Sequence, residues 1–101
     1  MKIYKTQNEV ERDIKDNVLA LDESVEFQCS INIKASLQIE GNINARNINA
    51  WDISAWNINA RNILYYAFCV VYNSIKCISI KGRRVGYAEP IALDGKIEFK
   101  K

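Results

Sequence analysis

The sequence predicts a mainly β fold: a short parallel β-solenoid built from pentad repeats, with an N-terminal capping helix and a C-terminal β-hairpin. Three observations predict it. A five-residue unit, x-[Asn/Asp]-Ile-x-Ala, recurs between Ile31 and Lys76. A helix start with capping-box spacing, Thr6 and Glu9, precedes the repeats, and an Asp94-Gly95 turn between two short apolar runs follows them. A fixed short period marks stacked coils rather than an ordinary globular core.

The first segment, Met1 to Lys5, alternates weakly and reads as a short strand. Thr6 can then cap a helix over about 7–15, in which Val10 and Ile14 lie four apart on one face while charged residues cover the rest. Asp16-Asn17 ends it. A helix with one narrow apolar stripe suits a lid, and solenoids need lids because an open end exposes core and unpaired strand edges. Val18 to Leu21 is a brief apolar run, and Asp22-Glu23-Ser24 turns the chain. From Val25 to Ala35, strict alternation is the period of a half-buried strand.

The repeats are clearest from Gly41 onward. Gly41-Asn42-Ile43-Asn44-Ala45 is followed by units beginning at Arg46, Trp51, Trp56 and Arg61. Ile and Ala are one residue apart, so both can face inward from a short strand. The Asn or Asp before each Ile is expected at the bend, where such residues tolerate unusual backbone angles. The residue before that, namely Gly41, Arg46, Trp51, Trp56 or Arg61, is expected outside, because the larger of these side chains do not fit a thin coil. Three sides would stack residues 15 apart and set Arg46 on Arg61; four would stack residues 20 apart and set Arg46 on Tyr66 and Trp51 on Val71. Like charges in register repel and an arginine on an aromatic attracts, so four sides are preferred.

After Tyr65 the repeat gives way to Tyr66-Ala67-Phe68-Cys69-Val70-Val71-Tyr72, apolar on both faces. Lys81-Gly82-Arg83-Arg84 is a basic turn, and Ile91 to Phe99 around Asp94-Gly95 reads as a hairpin. The whole is one domain, with residues 1–24 as N-terminal cap, 25–80 as solenoid and 81–101 as hairpin cap.

Composition narrows the function. A net charge of +2 is too small for the basic footprint of a nucleic-acid binder, and no apolar stretch reaches membrane-spanning length. A cytoplasmic location without membrane contact is the expectation. Cys29, Cys69 and Cys77 form no C-x-x-C pair, and with no histidine in the chain a zinc site and a histidine-based nucleophile pair are both absent. The cysteines are expected reduced and buried. The carboxylates are scattered without acid–base or metal-ligand spacing, and the chain has no glycine-rich phosphate loop. No catalytic residue, cofactor or metal is expected.

Partner binding falls instead to the outward series Arg46, Trp51, Trp56 and Arg61, whose types dominate protein-interface hot spots. The same residues could stack on bases and hold phosphates of a single strand, or lie over neighbouring rungs as structural cover. Lys81, Arg83 and Arg84 form either a second grip for an acidic partner or a solvated loop. Tyr65, Tyr66, Phe68 and Tyr72 form either a self-association surface, which would give a homodimer, or a core strand beneath the hairpin.

The pentads resemble those of pentapeptide-repeat proteins, with one departure: the small Ala follows the central Ile by two instead of preceding it. The Gly41-Asn42-Ile43 style is also similar to the repeats of polymer-forming β-helical proteins. Over its whole length, through Tyr72-Asn73-Ser74-Ile75-Lys76-Cys77, Gly82-Arg83-Arg84 and Leu93-Asp94-Gly95, the chain resembles small proteins encoded by prophages and mobile elements of Gram-positive bacteria. That resemblance carries no activity with it; it implies a phage or mobile-element setting, in which small proteins often act by binding a host protein. The expectation is a non-catalytic protein that docks on a host protein. Its most concrete form, by analogy of setting, is an anti-CRISPR-like inhibitor of a defence nuclease. A self-assembling solenoid scaffold is the alternative, and a nucleic-acid-binding module the weaker one.

Overall fold

Each pentad supplies one side of a coil. In the computed structural model, which describes residues 1–99, the Asn of the units from Gly41, Arg46 and Trp56 opens a three-residue strand, Ile occupies its inward centre, and Ala with the next residue turns the corner; in the Trp51 unit the strand is Ile53–Ala55 and Asp52 precedes it. The Asn therefore stands on the strand and not at the bend. The strands are β1 (Lys2–Tyr4), β2 (Val18–Leu21), β3 (Val25–Phe27), β4 (Ile31–Asn32), β5 (Ser36–Ile39), β6 (Asn42–Asn44), β7 (Asn47–Asn49) and β8 (Ile53–Ala55). They continue as β9 (Asn57–Asn59), β10 (Asn62–Tyr65), β11 (Cys69–Val71), β12 (Ile75–Cys77), β13 (Ser79–Gly82), β14 (Ile91–Ala92) and β15 (Ile97–Phe99). One helix, α1 (Gln7–Arg12), lies between β1 and β2.

All ladders between these strands are parallel, and they form three sheets around one interior. Sheet A orders β1-β3-β6-β9-β12-β15, sheet B orders β2-β5-β8-β11-β14, and sheet C orders β4-β7-β10-β13. The coil makes about four turns and has three sides. Ile43 pairs with Ile58 and Ile48 with Ile63, each 15 residues on. This corrects the four-sided expectation: Arg61 does stand on Arg46, its N–H donating to the Arg46 carbonyl at 2.7 Å. The reason is one of magnitude. Repulsion between two solvated side chains costs well under about 1 kcal/mol, whereas each buried Ile contributes about 1.5–3 kcal/mol.

The interior is the apolar set that the pentads announce. Ile43, Ile48, Ile53, Ile58 and Ile63 are buried together with Ala50, Ala55 and Ala60, and no charged residue joins them among the described residues. The alternating stretch from Val25 splits into β3 and β4 on two sheets, with residues 28–30 rounding the corner and the inward side preserved.

The N-terminal end is closed by local bonds. Thr6 and Glu9 form the capping box, but α1 stops at Arg12, short of the expected 15, and Asp13 closes it. Asp16 and Asn17 then take left-handed backbone angles, φ 53° and 62°, which these residue types accept. The Gln7 side chain acts as a missing strand for sheet C: its amide nitrogen donates to the Asn32 carbonyl at 2.6 Å and its oxygen accepts the Asn32 N–H at 3.0 Å. Lys15 likewise exchanges two backbone bonds with Val18 on the edge strand β2.

The C-terminal hairpin does not form. Ile91–Ala92 adds in parallel to β11 and Ile97–Phe99 adds in parallel to β12, so Asp94-Gly95 rounds a corner between two sheets. An isolated two-stranded hairpin is marginal in water. The rung below offers ready partners, and the Leu93 and Asp94 N–H groups donate to Val71 and Tyr72 carbonyls at 3.0 and 2.7 Å. The expected caps thus merge with the coil: 1–24 contributes β1 and β2, and the described part of 81–101 contributes most of the last rung. Lys100 and Lys101 lie outside the described residues.

Candidate protein-docking face

Sheet B carries the site. Its outward column, read rung by rung, is Ala20, Gln38, Ser54, Val70 and Ile91. These side chains, none of them aromatic or charged, form the floor of the face. In the third turn β8 is preceded by Trp51-Asp52 and followed by Trp56; in the fourth, β11 is preceded by Tyr66-Ala67-Phe68 and followed by Tyr72. Five aromatics therefore wall the floor from both sides. The five chain steps from Trp51 to Trp56 set an upper limit of about 18 Å on its width.

Backbone bonds between rungs align the walls. Tyr66 N–H donates to the Trp51 carbonyl at 2.7 Å, and Asn73 N–H to that of Trp56 at 2.9 Å. Asp52 braces one wall, its Oδ1 accepting the Ala67 and Phe68 N–H groups at 2.9 and 3.0 Å. Trp56, Tyr66, Phe68 and Tyr72 remain 42–56% exposed, and Trp51 is half-buried. Two hollows open along the walls: one of about 480 Å³ lined by Trp51, Asp52 and Tyr66, and one of about 440 Å³ reaching from Trp56 and Tyr72 to Ser54, Gln38 and Glu40.

The expected partner-binding residues divide. Trp51 and Trp56 flank the same face, but Arg46 and Arg61 lie on the corner between sheets A and C, opposite it. Lys81 stands on the outer surface of sheet C, in register with Leu64. Arg83 is tied down, donating to the Ala50 carbonyl at 2.7 Å. Arg84 borders the aromatic face, since its N–H donates to the Tyr66 carbonyl at 3.0 Å.

The expected self-association set needs one correction. Tyr65 is fully buried, its hydroxyl donating to the Ala88 carbonyl at 2.6 Å and its ring packing edge-on to Tyr87 at 5.9 Å. It continues the inward side of β10 after Ile63, so it cannot meet a second copy. Burial, then the neighbouring Cys69, pushes its pKa up to about 12. Tyr66, Phe68 and Tyr72 point out and belong to the same face as the tryptophans.

Cys69 and Cys77 are buried and Cys29 is half-buried. Burial, then Cys77, pushes the Cys69 thiol up to about 12, so it is not a thiolate nucleophile at neutral pH. Among the described residues no group of three or more Cys, Asp or Glu could hold a metal, and no helix is long and apolar enough to cross a membrane.

Two residues of the face escaped the sequence reading. Glu40 and Asp52 sit at strand corners, and their scattered positions hide the spatial grouping. No family model, curated protein or solved structure matches the chain.

Proposed function

We propose that the protein is a non-catalytic docking module that binds another protein through the aromatic-walled face of sheet B. The observation that carries this reading is the gathering of Trp51, Trp56, Tyr66, Phe68 and Tyr72 along the two sides of one sheet. Large rigid aromatics gathered on one surface are the residue types that dominate interface hot spots. The prophage resemblance makes a cytoplasmic host protein the expected partner, with a defence nuclease as the most specific form.

The rival readings draw less support. Asp22, Glu40 and Asp52 border the face and would repel a phosphate backbone, while Arg46 and Arg61 stand on the far corner and leave Arg84 as the arginine at its border. End-to-end stacking as a scaffold would have to displace α1 and the Gln7 and Lys15 contacts that occupy the N-terminal edges.

The test is capture of host proteins on immobilised wild-type chain beside a Trp56→Ala, Tyr72→Ala variant and an Arg46→Ala, Arg61→Ala variant. The reading predicts a partner lost by the first variant and retained by the second. Loss only with the arginine variant contradicts it.

A further inference from the structure

The hollow beneath Trp56 and Tyr72 sets a carboxylate beside two aromatic side chains, and unlike Asp52, which accepts the Ala67 and Phe68 N–H groups, that carboxylate braces no wall. Glu40 lines it together with Gln38 and Ser54, and no ion pair engages Glu40 among the described residues. A neighbouring hollow of about 420 Å³ shares Gln38 and Glu40 and adds Asp22. Resting on the docking reading above, we propose that this hollow receives the guanidinium of an arginine side chain presented by the partner protein.

The chemistry selects that group. Covering Glu40 with an apolar side chain would strip water from a carboxylate and return nothing, a costly outcome. A cation recovers that cost, and two aromatic rings beside the carboxylate add attraction through their electron-rich faces. A guanidinium fits better than an ammonium, because its plane stacks on a ring while its edge forms paired bonds to a carboxylate. The Gln38 amide oxygen and the Ser54 hydroxyl can accept its remaining N–H groups. Trp56 and Tyr72 follow β8 and β11 in successive turns, so the framework that shapes the hollow is the rigid coil itself.

The experiment is an NMR titration of the full chain with a short capped peptide containing one arginine, beside the same peptide carrying citrulline, its neutral isostere. Saturable shifts of the Trp56 indole N–H and Tyr72 ring are expected with the arginine peptide. Binding should weaken about tenfold or more with the citrulline peptide, and equally with Glu40→Gln, an exposed substitution checked for an unchanged melting curve. Equal binding of the two peptides, or no shift at Trp56 up to about 10 mM peptide, overturns the proposal. The two readings fail separately. A captured partner that depends on Trp56 and Tyr72 but not on Glu40 keeps the docking face and removes the arginine. A partner indifferent to both aromatics removes the docking face, and the peptide titration still judges the hollow.

Discussion

Asn57 stands one rung above Asn42 and donates its side-chain nitrogen to the Asn42 side-chain oxygen at 2.8 Å, while its own oxygen accepts from the Ser74 N–H and hydroxyl at 3.0 and 3.2 Å. A second ladder runs from Ser30 through Asn47 and Asn62 to Ser79 with contacts of 2.7–3.0 Å. The repeated Asn is thus a vertical hydrogen-bonded column that holds successive turns in register. Asn57→Ala breaks its column in the middle and strips the Ser74 N–H of its acceptor, which should cost about 1–3 kcal/mol. Asn44→Ala, on the exposed surface of the same sheet, should stay within about 0.5 kcal/mol of wild type. Urea unfolding of the two variants checks the contrast.

The core and the proposed docking surface draw on different residues. Ile58→Ala empties part of a fully buried column and should cost about 2–5 kcal/mol. Trp56→Ala, at a half-exposed corner, should cost about 1 kcal/mol and leave a cooperative transition. Thermal melts followed by circular dichroism distinguish them. A Trp56→Ala protein that melts like Ile58→Ala would make the tryptophan structural cover.

Gly41 occupies the pentad position that holds Trp56 one turn later, yet it is buried. A Cβ there would lie 2.6 Å from the Ser24 nitrogen and 2.8 Å from its Cα, closer than packed atoms allow. Gly41→Ala should therefore destabilise by about 1–3 kcal/mol, as overpacking does. Equilibrium unfolding of this single variant suffices, and no change would mean that the corner at Ser24 yields.

Acid should open the N-terminal cap first. Glu9 accepts the Lys5 and Thr6 N–H groups, and those bonds hold its pKa below the usual value. Asp13 accepts the Tyr4 hydroxyl at 2.7 Å, which with nearby Lys2 lowers its pKa too. Both carboxylates are depressed in the folded state, so their contribution is complete above the unfolded value near about pH 4 and disappears as pH falls through the lower folded values. Hydrogen exchange should show α1 and β1 losing protection in that window before β6–β10 do. Asp13→Asn should flatten part of the dependence.

The inward side of the coil was readable from the sequence because a period-two alternation with Ile and Ala leaves no other choice of face. Thr6 and Glu9 likewise declared the cap, since that pairing depends only on local spacing. The number of sides was not readable: pentads stack in register at 15 or 20 residues alike, and surface charge is too weak a guide to choose. Asp94-Gly95 misled because the same left-handed-tolerant pair can round a coil corner when an earlier rung supplies the strand partners. The grouping of the five aromatics on one face escaped for the first of these reasons. Trp51 and Tyr66 share a wall only once the turn is known to contain three sides.

That turn length is best tested by the cross-strand NOE pattern between backbone amide and Hα protons. Three sides predict contacts pairing Asn44 with Asn59, Arg46 with Arg61 and Trp51 with Tyr66. Contacts at a separation of 20 residues instead, Asn44 with Leu64 and Trp51 with Val71, would contradict the architecture and disperse the aromatic walls with it.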